Sequence, residues 1–134
     1  MTERADPPVF QIRSNSGGTE VVIEGADVRL SSRALRASVS VCELEKDETV
    51  HGLNTFFESL ARDWRGWKGE RIWSSLEGEF HITALHNGLG TVELIVSVGH
   101  REPTSAGVWD ATVTLFFDAG GLDALARQAP SAWD

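Results

Sequence analysis

The chain has 134 residues, 41% of them hydrophobic, 24% charged, and a formal net charge of -8. That length predicts one domain that needs neither metal nor disulfides, and the single cysteine, Cys42, excludes an internal disulfide. Twenty acidic side chains against twelve basic ones argue against nucleic acid or an anionic membrane as partner, because both reward a surplus of Lys and Arg.

Residues 1 to 7 read as a flexible leader stopped by Pro7-Pro8, and residues 8 to 134 as a single domain. The leader has no apolar signal region, and no later segment reads as a membrane span, so a cytoplasmic location is expected. Val9 to Ser14 predicts a strand, ended by the turn signal Asn15-Ser16-Gly17-Gly18. Thr19 to Glu24 and Ala26 to Leu30 are β-branched runs broken at Gly25, hence two strands or one bent strand. Leu35, Ala37, Val39 and Val41 alternate with Arg36, Ser38 and Ser40, the period of a half-buried strand.

From Val50 the period changes. Leu53, Phe56, Phe57, Leu60, Ala61, Trp64 and Trp67 fall at intervals of three and four, which predicts an amphipathic helix ended by Gly66 or Gly69. On that reading Trp64 is core and Trp67 half buried. Arg62, Arg65, Lys68 and Arg71 recur every third residue, so a helix would wind them around its axis. Their expected role is to meet the unpaired carbonyls at the helix C-terminus.

Three strands should follow. Residues 70 to 86 read as one long strand, with Ile72, Leu76, Phe80, Ile82 and Ala84 on the core side. Trp73, Glu77, Glu79, His81 and Thr83 then share the opposite face, which leaves Trp73 exposed. A tight hairpin at Glu77-Gly78 would instead turn Trp73 inward. Asn87-Gly88 offers a hairpin turn that Leu89-Gly90 lengthens. Val92, Leu94, Val96 and Val98 alternate with Glu93, Ile95 and Ser97 in the next strand. A loop through His100, Pro103 and Gly107 leads to the last strand, where Trp109, Ala111, Val113, Leu115 and Phe117 alternate with Asp110, Thr112, Thr114 and Phe116. A short helix from about Gly121 to Gln128 buries Leu122, Leu125 and Ala126, and Pro130 stops it. The expected fold is α+β: an antiparallel sheet of about six to seven strands with one long and one short helix on one face.

Trp64-Arg65-Gly66-Trp67, Ser75-Leu76-Glu77-Gly78-Glu79-Phe80, His86-Asn87-Gly88-Leu89-Gly90-Thr91-Val92, Trp109 and Asp118-Ala119-Gly120-Gly121-Leu122 form a set. In them the chain resembles a group of small bacterial proteins that carry a domain of unknown function, over about residues 50 to 128. The resemblance implies a fold and a bacterial origin, and transfers no activity, cofactor or catalytic residue.

The polar face of the later strands is the first candidate site. Glu79, Ser97 and Asp110 would form one cross-strand row, His81, Ile95 and Thr112 the next, then Thr83, Glu93 and Thr114. Carboxylates beside a histidine suit acid/base work, but glutamate and threonine are also routine on a solvated sheet face. No nucleophile, oxyanion hole or recognised catalytic motif accompanies them, so no catalytic residue, metal or cofactor is assigned. His81 and His86 point to opposite faces of a strand, and His51 and His100 lie in other segments. Cys42 lacks a local basic partner that would activate it.

The preferred expectation is a non-catalytic domain that binds another protein; one version is an immunity-type protein blocking a basic toxin or nuclease with its acidic face. The alternative is a small-molecule module with a pocket built from Trp67, Arg71 and Trp73. An enzyme using His81 and Glu79 ranks last. Ile95 and Phe116, with Trp73 and Leu85, also suggest an apolar contact patch, for an unknown partner protein or a homodimer. The candidate binding residues are therefore Trp67, Arg71, Trp73, Glu79, His81, Ile95 and Asp110.

Overall fold

Eight short strands, one helix in mid-chain and one near the end make up a computed structural model that describes residues 9–15, 17–25, 27–41, 52–75, 78–100 and 107–129. Readings made for the leader, Ser16, Cys42, Val50, His51, Leu76, Glu77, Pro103 and Pro130 lie outside the described residues. The first four strands are β1 (Val9–Arg13), β2 (Glu20–Glu24), β3 (Asp27–Ser31) and β4 (Arg36–Ser40). Each pairs antiparallel with the next, in the order β1-β2-β3-β4. Period-two alternation buries Phe10, Ile12, Val21, Ile23, Val28, Leu30 and Val39 on one face of this sheet.

Helix α1 (Leu53–Arg62) follows and buries Leu53, Phe56, Phe57 and Leu60, the expected stripe. The Phe57 ring meets Phe10 of β1 edge-on at 5.3 Å, which joins helix and first sheet. A second sheet comprises β5 (Arg71–Ser74), β6 (Phe80–His86), β7 (Thr91–His100) and β8 (Trp109–Asp118), again antiparallel in chain order. After a 3-10 turn at Ala119–Gly121, α2 (Leu122–Gln128) packs on α1. The Asn54 amide of α1 donates to the carbonyls of Ala126 and Ala129, at 3.3 and 3.1 Å, and so caps the end of α2.

The fold is α+β and antiparallel, as expected, but its strands form two four-stranded sheets instead of one larger sheet. The sequence separates the sheets by α1, and no β4–β5 pairing forms. The sheets meet where β4 approaches β7 and β3 approaches β8, and their buried faces and both helices share one core. The turn after β1 also ties to β8: Asn15 N–H donates to Phe116 O at 2.7 Å, and Phe116 N–H donates to Ser14 Oγ at 3.0 Å.

Three local expectations are corrected. The helix is shorter than the apolar spacing suggests and ends at Arg62, before either glycine. Asp63 N–H and Trp64 N–H donate back to Leu60 and Ala61 carbonyls, tight turns that leave the helical path. Trp64 therefore falls off the stripe and is 48% exposed, with Arg65 over its ring. Of the four cations only Arg62 is helical.

The stretch from 70 to 86 is two strands, not one. Ser75 N–H donates to Phe80 O at 2.8 Å, and Phe80 N–H donates to Ser75 Oγ at 3.1 Å, closing a tight connection. The register then sets Trp73 opposite Ile82, so Trp73 faces the core, 6% exposed, against the Phe80 ring. Ile72 takes the outward position opposite Thr83 and is 55% exposed.

Strand β7 lies two residues from its expected alignment. Asn87 Oδ1 accepts from Leu89 N–H and Thr91 N–H, and Asn87 N–H donates to Thr91 O, so the loop is centred on Leu89. Because the slip is even, every side chain keeps its face.

Candidate functional site

The outward face of the second sheet gathers most of the expected site residues. Its rows read Ile72–Thr83–Ile95–Thr114, then Ser74–His81–Ser97–Thr112 on one side and Leu85–Glu93–Phe116 on the other. Beyond His81, Glu79 O accepts from Gly99 N–H at 3.0 Å, and Gly99 pairs with Asp110. Glu79 and Asp110 thus share a row, but Gly99 separates them where Ser97 was expected. Ile95 stands between Thr83 and Thr114, not beside His81.

Phe116 is 45% exposed, and Ile95 and Leu85 are half buried. Together with Ile72 they make an apolar centre on a sheet face that would ordinarily be polar. Around it stand Glu79, Glu93, Asp110 and Asp118, with no Lys or Arg among the described residues at outward strand positions of this face. The outward positions of the first sheet differ. There Arg13, Arg29 and Arg36 mix with Glu20, Glu24 and Asp27, and Arg29 pairs with Glu24 at 3.6 Å.

Among the described residues no acid/base pair is hydrogen-bonded around His81. The Glu79 carboxylate accepts from the Ser75 hydroxyl at 2.8 Å, and Ser97 and Thr112 hydroxyls bond to each other at 2.9 Å. Among the described residues no hydrogen bond joins His81 to Glu79, and no group of three or more His, Cys, Asp or Glu is placed to hold a metal ion.

The second cluster lies at the end of α1. Arg71, from β5, donates through Nη1 to Ser59 O at 3.2 Å and pairs with Asp63 at 2.7 Å. Ser59 carries one of the last helical carbonyls, so the expected capping cation is present, but it arrives from a strand. The Arg71 guanidinium also lies 5.2 Å from the Trp67 ring centroid. Trp67, half buried as expected, donates from Nε1 to Ala84 O at 3.3 Å and meets His86 edge-on at 5.1 Å. His86 Nε2 lies 2.8 Å from Trp64 O, and His86 Nδ1 accepts from Gly88 N–H at 2.8 Å.

A cleft of about 520 Å³ runs beside this cluster, lined by Thr55, Phe56, Ser59 and Arg62 of α1 and by Arg71 to Ser74 of β5. It contains Arg71 and Trp73 but not Trp67, so the three residues expected to build one pocket are divided between two environments. Ile72 and Arg62 are the residues that pattern reading missed as site members. The hairpin reading at Glu77-Gly78 was the available signal for Ile72.

No curated protein and no solved structure matches the chain. Residues 13–132 match the model of a family described as a family of unknown function (DUF6228), and the chain belongs to that family.

Proposed function

We propose that the chain is a non-catalytic bacterial protein-binding domain, working in the cytoplasm, that docks a partner on the outward face of its second sheet. The observation that carries this reading is the row Ile72–Thr83–Ile95–Thr114 with Leu85 and Phe116 beside it, inside a border of carboxylates. An apolar centre with a polar border is the usual anatomy of a protein interface. A border of one sign selects a partner of the other, so the partner is basic around its contact surface. An immunity-type protein that covers a basic toxin or nuclease has these requirements.

An affinity pull-down from the native host, read by mass spectrometry, compares wild type with Ile95→Glu. The expected result is a basic protein retained by wild type, lost from Ile95→Glu, and released as salt rises. Equal recovery by both baits, or recovery only of acidic proteins, defeats the reading. A homodimer on this face is distinguished by sedimentation equilibrium: its facing carboxylates repel, so salt should strengthen it.

A further inference from the structure

We propose that the cleft between α1 and β5 receives an extended, acidic peptide segment of a partner protein, which joins the second sheet as an added strand beside β5. The cleft and the β5 edge carry this inference, and Ile72 and Ser74 are the residues they share with the outward sheet face.

Among the described residues β5 ends the second sheet, with β6 as its one strand neighbour. The Ser75–Phe80 bond continues the β5–β6 register by one pair. Hydrogen-bonded and non-bonded pairs alternate in an antiparallel ladder. Trp73 and Arg71 therefore bond to β6, while Ile72 and Ser74 turn their N–H and C=O groups to the open edge. Among the described residues no hydrogen bond to those outward backbone groups is present. The opposite edge of the sheet is treated differently. At β8, Ser14 and Asn15 already bond to Phe116 N–H and C=O.

The open edge also has a wall beside it. Thr55, Phe56, Ser59 and Arg62 of α1 face Arg71 to Ser74 across the cleft. An added strand meets backbone donors and acceptors on β5 and alternates its side chains between the cleft and solvent, the geometry of strand addition. Phe56 and Trp73, both buried, form the apolar floor of the cleft, and Ile72 stands exposed at its rim. Its charge identifies the occupant. Among the described residues the lining holds two arginines and no carboxylate, on a chain of net charge -8. Asp63 neutralises Arg71, whereas Arg62 makes no ion pair among the described residues. A carboxylate of the incoming segment, from a side chain or a chain terminus, fits Arg62.

The test uses a displayed random library of peptides of about six residues, a usual strand length, with free carboxyl termini, selected on the whole protein. The enriched peptide is then made synthetically and followed by fluorescence anisotropy and amide hydrogen exchange. It should alternate apolar side chains and carry a carboxylate. Binding should slow exchange at the Ile72 and Ser74 amides. N-methylation of one alternate set of peptide nitrogens should abolish binding, while the other set tolerates it. Arg62→Glu should weaken binding by about tenfold or more, and Ile95→Glu should leave it unchanged. The proposal is overturned if no peptide is enriched, if both N-methylated series bind, if protection appears elsewhere, or if Arg62→Glu binds as wild type does. Loss of the outward-face partner does not alter these measurements, so the two readings fail separately.

Discussion

Arg71→Ala removes the side chain that fastens the end of α1 to the second sheet. Three contacts go with it. The ion pair to Asp63 is short, 2.7 Å, but the two side chains are 32% and 44% exposed, so solvent screening holds it to about 0.5–1 kcal/mol. The guanidinium over Trp67, at 5.2 Å, contributes about 0.5–1 kcal/mol. The bond to Ser59 O, at 3.2 Å, adds about 1 kcal/mol, since the carbonyl can turn partly to water. The contacts share one side chain and do not simply add, so the expected loss is about 2 kcal/mol. Urea unfolding followed by tryptophan fluorescence measures it. Arg71→Lys should recover less than half, because an ammonium cannot serve the carboxylate, the carbonyl and the ring together. A double-mutant cycle with Asp63→Ala should return a coupling of about 0.5–1 kcal/mol. A loss below about 0.5 kcal/mol for Arg71→Ala would refute the reasoning, since the contacts it removes could not then be a fastening.

Four further outcomes are expected. Phe57→Ala empties a fully buried site against Phe10 and Phe56 and should cost about 3–5 kcal/mol in the same urea assay; a cost under about 1 kcal/mol would misplace the core. Gly99→Ala would set a methyl carbon 2.8 Å from Asp110 Cα and against the Trp109 carbonyl. With Glu79 O held on the other side, it should cost about 1–3 kcal/mol, and an unchanged Tm would contradict the β6–β7–β8 register. The two bonds of His86 require hydrogen on Nε2 and a bare Nδ1 in the neutral ring; nitrogen NMR that finds the other tautomer removes the Trp64 and Gly88 contacts. Duplex DNA and RNA should not shift in gels at physiological salt, and micromolar, strongly salt-dependent binding would reverse the charge argument.

The parts legible in the sequence are those set by local period. Leu53, Phe56, Phe57 and Leu60 announce their helix face, and Val92 to Val98 and Val113 to Phe117 announce their strand faces, because burial repeats where geometry repeats. Trp64 was misleading for the same reason. Its spacing continues the stripe on paper, but the chain has already left the helix at Asp63, and no glycine or proline marks that point. Trp73 and Ile72 exchanged faces because parity runs on unchanged through a short connection that reverses the strand. The Asn87 loop moved β7 by two residues, which altered the neighbours of Ile95 and Asp110 but not their face. The division into two sheets depends on which strands meet across α1, and no local pattern encodes that. The acidic face was thus readable as a face, while Arg62 and the β5 edge emerged only from packing.

The tie between Asn15 and Phe116 joins residues far apart along the chain, with Ser14 and Phe116 separated by 102 positions. Each sheet is otherwise a meander of sequential neighbours, assembled by closing short loops. Joining Asn15 to Phe116 requires the ends of almost the whole described chain to meet, at the large entropic cost of a long loop. Folding should therefore divide into early formation of the two meanders and later docking of one on the other, with docking setting the rate. Core substitutions within a single hairpin should then slow folding less than substitutions at Phe10, Phe57 or Ser14, where the separately formed parts first touch.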